Sequence, residues 1–316
     1  MSRQDVEAVH LSMSDIIDAL DQMFAEKGHG NGEMPPKPGI HTQPDAFIHA
    51  MPAYIPSLQA AGLKWISGYP GNQARELPYI TGLLVLNDPL SGVPIAVMDA
   101  TWITAMRTGA ATALAARYLG RGTSEIVAVL GCGVQGRSNL HDQSTLFDLK
   151  KVQAFDLKPE RVAEYAREIE DSLDIKVEST TDPRNALQGA DLVVTAGPIL
   201  KNPEPTISAD WLEPGSFASA VDFDSYWQGA ALKQADKIVT ADRAQMSFYR
   251  TEGYFKQTPE PYADMGELAI GLKAGRENDE ERIIALNLGI ALEDMATAIR
   301  VYRAAIGLGI GTHLPL

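Results

Sequence analysis

The sequence predicts an α/β protein in which a doubly wound parallel sheet follows a mixed α+β region, and three observations predict it. Residues 126–136, IVAVLGCGVQG, run a β-branched, apolar stretch directly into Gly131-x-Gly133-x-x-Gly136. From there to about residue 285, short apolar runs alternate with helical patterns, the order that builds a parallel sheet with helical crossovers. Before it, residues 45–99 hold short β-rich runs separated by Gly, Pro, Asn and Asp.

The first element is an amphipathic helix behind Ser14, with Ile16, Ile17, Leu20, Met23 and Phe24 on one face and glycines at 28–32 to end it. DAFIHAMPAYI, GLKWISGYP, ITGLLVLND and GVPIAVMDA then predict an antiparallel sheet. TWITAMRTGAATALAARYL reads as an Ala-rich helix suited to close packing, and RGTS at 121–124 as a junction. Beyond it come the strand EIVAVL, a helix over 134–147, the strand KVQAF, a helix from Pro159, IKVE, a short helix, ADLVVTAG, SFASAVD and DKIVTAD. A last helix is expected over about 286–304. The fourth strand should end in a turn at 195–198, on the side of the sheet where ligands bind.

Composition narrows the function classes. The chain has 316 residues, 45% of them hydrophobic, enough for two domains with substantial cores. No apolar run approaches the roughly 20 residues of a membrane span. MSRQDVEAVH lacks the basic-then-apolar layout of a signal peptide, so a cytoplasmic protein with no membrane partner is expected. A net charge of −14 with no basic stripe argues against nucleic acid as a partner. The single cysteine, Cys132, excludes an internal disulfide and reads as a small packed residue. His41, His141 and His313 show no ligand spacing, so no metal is expected. GRENDEERI at 275–283 reads as a solvated surface loop entering a helix.

The glycine motif carries chemistry because of where it stands. Gly131 permits the turn off the strand, Gly133 lets backbone N–H groups approach a pyrophosphate, and Gly136 lets the helix pack on the sheet. Val134 and Gln135 open that helix. The spacing alone is weak evidence in a chain with 27 glycines; the strand before it and the acid after it give it meaning. That acid is Asp156, at the end of KVQAFD, placed for an adenosine ribose. It favours NAD, while Lys158 and Arg161 leave NADP open. The second half of the chain is therefore expected to be a Rossmann dinucleotide-binding domain.

Four strings, GLKWISGYPGN (62–72), the segment 80–119 around TWITAMRTGAATALAARYL, VLGCGVQG and NLGIALEDMATAIRVY (287–302), together resemble the ornithine cyclodeaminase/μ-crystallin family. The likeness covers nearly the whole chain. It implies a split α+β domain for substrate binding and dimerisation, from residues 1–120 plus about 286–316, around a Rossmann domain over 121–285. It also implies a homodimer and NAD(P)-dependent chemistry at the α-carbon of a small amino or imino acid.

By family position, Lys64 and Arg107 hold the substrate carboxylate. Lys37 stands where the family commonly has an arginine, and loses the bidentate geometry. Asp224 matches the family aspartate that moves protons; Asp222, two residues earlier in what reads as an extended segment, is its backup. His49 occupies the place of the glutamate expected to hold the far amino group of ornithine in the cyclodeaminases. Asn72, Thr108, Thr195, Ala196 and Gly289 are placed around the nicotinamide. These assignments favour an NAD-dependent oxidoreductase interconverting a small L-amino acid and its imino or keto acid. Ornithine cyclodeaminase, forming proline and ammonia with NAD recycled, is one alternative, and a non-catalytic cofactor-binding crystallin-like protein another.

Overall fold

In the computed structural model, which describes residues 1–315, the chain divides into two units. One is Met1–Arg107 together with the chain from Ile290 onward; the other is Thr108–Gly289. No described helix is long and apolar enough to cross a membrane.

The first unit opens with α1 (Arg3–Ala8) and α2 (Met13–Gly28). The cap of α2 is Ser12, whose Oγ accepts from the Asp15 amide at 3.1 Å; Ser14, the residue the pattern suggested, lies inside the helix. Ile16, Ile17, Leu20, Met23 and Phe24 are all buried. A five-stranded antiparallel sheet follows in chain order: β1 (Gly39–Ile40), β2 (Phe47–Ile55), β3 (Ala60–Gly68), β4 (Ile80–Asn87) and β5 (Pro94–Asp99). Its two faces differ because side chains alternate along a strand. Met51, Ile55, Lys64, Ile66, Leu84, Leu86 and Met98 are buried, whereas Trp65, Leu83 and Val97 are exposed.

The second unit takes up α3 (Thr101–Leu119) part-way along its length. The units separate at Arg107/Thr108 inside this helix, not at the junction near 121. The later turns of α3 pack tightly within the second unit: a Cβ on Gly109 would sit 2.0 Å from Asp142 Oδ2 and 2.7 Å from the Ser138 carbonyl. Then come β6 (Ile126–Leu130), α4 (Val134–Ser144), β7 (Lys151–Phe155), α5 (Pro159–Leu173), β8 (Lys176–Ser179), α6 (Pro183–Leu187), β9 (Leu192–Thr195), β10 (Phe217–Ala220), α7 (Gly229–Gln234), β11 (Lys237–Thr240), α8 (Arg243–Thr251), β12 (Ala263–Asp264), α9 (Met265–Ala269) and β13 (Ile283–Leu286). They form one parallel eight-stranded sheet, ordered β12-β11-β13-β10-β9-β6-β7-β8. The order reverses between β6 and β9, the switch point at which open α/β sheets bind ligands.

The elements depart from the sequence expectation in several places: α1 precedes the helix expected to come first, and α7, α8, β12 and α9 fall where no element was assigned. Residues 283–286 form β13, buried between β10 and β11, and the final helix starts later. A four-residue apolar run carries no period that separates a strand from a helix start; its sheet neighbours make it a strand. That final helix, α10 (Ala291–Leu308), returns to the first unit and covers the buried face of β2, β3 and β4 beside α2.

Candidate active site

The cofactor cradle is built where β6 meets α4. Gly131 has φ +107°, and a Cβ there would stand 2.6 Å from the Ala196 carbonyl oxygen, so only glycine turns the chain this close to the end of β9. On Gly136 a Cβ would stand 2.2 Å from the Gly131 carbonyl, which brings α4 down onto the loop. Gly133 is the N-cap of α4 and supplies no side-chain cap, and a Cβ built on it meets nothing within 4 Å. The first turn of α4, with exposed Val134 and half-buried Gln135, thus presents uncapped N–H groups to open space, a binding place for phosphate.

Asp156 follows β7. Its carboxylate accepts from the Cys132 amide at 2.9 Å and from the Lys158 amide at 3.0 Å, tying the loop to the strand and keeping lone pairs for ribose hydroxyls. Beside it lies a cavity of about 220 Å³ lined by Asp156, Leu157, Pro159, Val162, Thr180 and Thr181. Phosphate cradle, acid and cavity succeed one another as pyrophosphate, ribose and adenine do in a dinucleotide, so these residues fit NAD. Cys132 is buried, and burial pushes its thiol up to about 12, which removes it as a nucleophile.

At the carboxyl end of β9 and β10 two acids were candidates. Thr195 Oγ donates to Asp222 Oδ1 at 2.7 Å and accepts from Trp227 Nε1 at 3.2 Å. Asp222 is fully buried; burial raises its carboxyl to about 7, against the pull of Thr195 and the Gly197 backbone. Asp224 is partly exposed, accepts from Thr258 Oγ1 at 2.9 Å and is also raised by burial. The segment between them is not extended. Phe223 has φ 62°, held among the rings of Tyr249, Tyr254 and Phe255, so the two acids do not share a face and meet different partners.

The first unit gathers the cations. Lys64 faces inward from β3 between Met51 and Leu84, and an ammonium buried there requires a counter-charge. Asp294, in the first turn of α10, supplies it: Lys64 Nζ donates to Asp294 Oδ1 at 2.6 Å. Arg107 forks across two acids, Nε to Asp294 Oδ1 at 2.9 Å and Nη1 to Glu293 Oε2 at 2.8 Å. Lys37 is buried in the same neighbourhood, and burial together with Lys64 and Arg107 lowers its ammonium to about 7. Burial and Arg107 lower Lys64 to about 8 against the pull of Asp294. Burial also works against the charge of Arg107, but Asp294 and Glu293 outweigh it and the guanidinium is held above its ordinary value. Glu293, fully buried, is raised by burial despite Arg107. Its Oε1 and Asp294 Oδ2 have no hydrogen-bond partner among the described residues.

Glu293 and Asp294 were missed by the sequence reading. The signal was present: two adjacent acids interrupt the small, apolar run GIALEDMATA, and acids in such a run are buried with partners.

His49 stands on β2, stacked on Phe47 with ring centroids 4.3 Å apart and edge-on to His41 at 6.5 Å. Burial, Lys37, His41 and Lys64 lower its imidazolium to about 3; the charges acting on it are all cations. Lys37, His49, Lys64 and Arg107 therefore form one group in the first unit, and the glycine loop, Asp156, Thr195, Ala196 and Asp222 another in the second. Asn72 donates its amide to the Pro78 carbonyl at 2.9 Å, a local turn contact. Thr108 is buried at the start of the second unit, and Gly289, with φ 62°, ends it. No group of three or more metal-ligating side chains occurs among the described residues.

Residues 1–307 match the model of the ornithine cyclodeaminase/mu-crystallin family. The chain belongs to that family. The nodulation efficiency protein NfeD of Rhizobium meliloti is 34% identical to it, over 99% of this chain and 97% of its own. The structure of Thermococcus litoralis Δ1-pyrroline-2-carboxylate reductase with NADH and L-proline superposes with a TM-score of 0.91 at 29% identity, covering 99% of both chains. An archaeal alanine dehydrogenase dimer with bound NAD superposes with a TM-score of 0.89 at 31% identity, covering 100% of this chain and 98% of the other.

Proposed function

We propose that this chain, an NAD-dependent oxidoreductase of amino and imino acids, interconverts a small L-amino acid with its imino or keto acid. The buried group of Lys37, Lys64 and Arg107 carries the reading, because a substrate carboxylate must be fixed before its α-carbon can be oriented. Arg107 and Lys37 hold that carboxylate, and Lys64, locked to Asp294, keeps Arg107's acid in place. The unsatisfied oxygens of Glu293 and Asp294 can accept from the substrate's amine or imine N–H. A NAD held by the glycine loop and Asp156 would supply the hydride acceptor. Asp224 takes the proton released as the amine becomes an imine, and in the reverse direction returns it. Its raised carboxyl brings it closer to the operating pH, as a general base needs. Water then adds to the imine, giving the keto acid and ammonia.

The cyclodeaminase alternative needs an acid for the second amine of ornithine. The charged groups acting on His49 are cations, which disfavours it. A second copy of the chain is the expected partner, since Trp65, Leu83 and Val97 expose an apolar sheet face, 46–53% accessible, in the first unit.

The test incubates the protein and NAD with L-alanine, L-proline, L-aspartate and L-ornithine, following NADH absorbance together with products by mass spectrometry. Net NADH with an imino or keto acid is expected, and Asp224→Asn should lower kcat about 100-fold or more while NADH still binds. Proline and ammonia from ornithine without net NADH would overturn the reading in favour of cyclodeamination. Inertness toward the whole panel, with NADH bound and Asp224→Asn unchanged, would favour a binding protein.

A further inference from the structure

Gly197, in the turn after β9, lies between two parts of the second unit. Its amide nitrogen is 3.2 Å from the point where a Cβ on Gly131 would stand, so it lies directly against the turn of the cofactor cradle. A Cβ on Gly197 itself would stand 2.3 Å from Cε2 of Tyr226 and 3.1 Å from the tyrosine's hydroxyl oxygen. The φ of Gly197 is outside the left-handed region, so its backbone does not call for glycine; the ring lying on it does. Tyr226 is thereby separated from the glycine turn by a single residue.

The backbone that carries this ring is fixed on both sides. The Tyr226 carbonyl accepts from the amides of Thr206 and Ile207 at 3.0 and 2.7 Å, and Ser225 Oγ accepts from the Leu200 amide at 3.1 Å. Trp227 is buried, its Nε1 donating to Thr195 Oγ1 at 3.2 Å. Tyr226 itself is half-buried, and its hydroxyl has no hydrogen-bond partner among the described residues.

We propose that Tyr226 is a cofactor-binding residue, whose hydroxyl donates a hydrogen bond to the pyrophosphate of NAD at the glycine turn. This rests on the dinucleotide cradle, whatever amino acid is oxidised, and adds a residue to it.

The chemistry suits the place. The cradle meets phosphate with the backbone N–H groups of α4, and Arg137, the cation nearest the start of that helix, is engaged by Glu168 at 2.6 Å and by the Cys132 carbonyl. A phenol adds a directed donor without bringing a charge that needs its own counter-ion. Burial, with the carboxylates of Asp222 and Asp156, pushes the Tyr226 hydroxyl up, so it keeps the proton it donates. Because the backbone on either side is already held, little freedom is lost when the bond to the anion forms.

The experiment titrates NADH, ADP-ribose and ADP, which all carry the pyrophosphate, into the wild type and Tyr226→Phe by calorimetry. The variant should bind all three about 10-fold or more weakly, because each loses one hydrogen bond to a charged group. Its ligand-free unfolding temperature should be unchanged, since the hydroxyl has no protein partner to lose. Equal affinities in the two proteins would overturn the proposal. A loss confined to NADH would assign the hydroxyl to the nicotinamide, and a loss that spares only ADP would assign it to the second ribose; either overturns the pyrophosphate contact. Gly197→Ala tests the placement of the ring, which the new methyl displaces. It should weaken ADP binding in the wild type and add little further loss in Tyr226→Ala. An equal loss in both backgrounds would mean that the methyl obstructs the nucleotide directly, overturning the part given to the ring. If Gly197→Ala does not fold, the Tyr226→Phe series alone decides. Failure of the wild type to bind any of the three would overturn the cradle itself, an outcome distinct from binding that ignores Tyr226.

Discussion

The two units bury charge in opposite ways. In the first, Lys64, Arg107, Glu293 and Asp294 meet in direct ion pairs, so each charge is held by another. In the second, Asp142 and Asp222 are buried with no ion pair to either among the described residues. Asp142 has neither carboxyl oxygen hydrogen-bonded, and burial raises it well above the ordinary range. Asp222 has the Thr195 hydroxyl and is raised to about 7. A paired charge persists through neutral pH; a lone buried acid adapts by taking a proton. The first unit thereby keeps its charges fixed, while the second holds acids whose charge changes with their surroundings.

Removing the shared acid should break this contrast most severely. Asp294→Ala leaves Lys64 and one branch of Arg107 without the carboxylate they touch, and should cost about 3–5 kcal/mol by denaturant unfolding, with activity lost. A loss below about 1 kcal/mol would mean that the pairs are solvated in solution.

A smaller effect tests the other side. Because the folded carboxyl of Asp222 lies above its unfolded value, its stabilising contribution is complete below about pH 4 and is lost as pH rises toward 7. Asp222→Asn carries no titrating group there and should flatten that decline, gaining about 1–3 kcal/mol relative to wild type at pH 8 against pH 4. Parallel pH profiles for the two proteins would show that Asp222 remains ionised through its bond from Thr195.

The mildest change sharpens the role of geometry within the paired group. Arg107→Lys keeps the charge but loses the fork that spans Glu293 and Asp294, and should raise KM for the amino acid about 10-fold, with a smaller change in stability. Equal KM values would mean that the substrate carboxylate is held by charge alone.

The legible features of this chain are local ones. The turn at Gly131, the helix start at Val134 and the acid at Asp156 lie within one βαβ unit, where residue type and order dictate backbone geometry. The periodicity of α2 and the alternation of β2 to β5 are likewise set by neighbours a few residues away. The extended segment expected between Asp222 and Asp224 is instead a turn through Phe223, because the aromatic side chains that hold it come from residues 249–255. Strand β13 escaped notice for a similar reason, its identity lying in β10 and β11 on either side.

Sequence alone thus determined the fold class, the glycine turn of a dinucleotide-binding fold and the family, since each follows from a short pattern or a recognisable string, and it singled out Lys37, Lys64 and Arg107 as candidates. Only the tertiary structure decided what those cations face. Lys64 and Asp294 are 230 residues apart, and their pairing at 2.6 Å exists because α10 returns to cover the sheet that carries Lys64. Charge balance is a property of who is buried beside whom, and no local pattern encodes it.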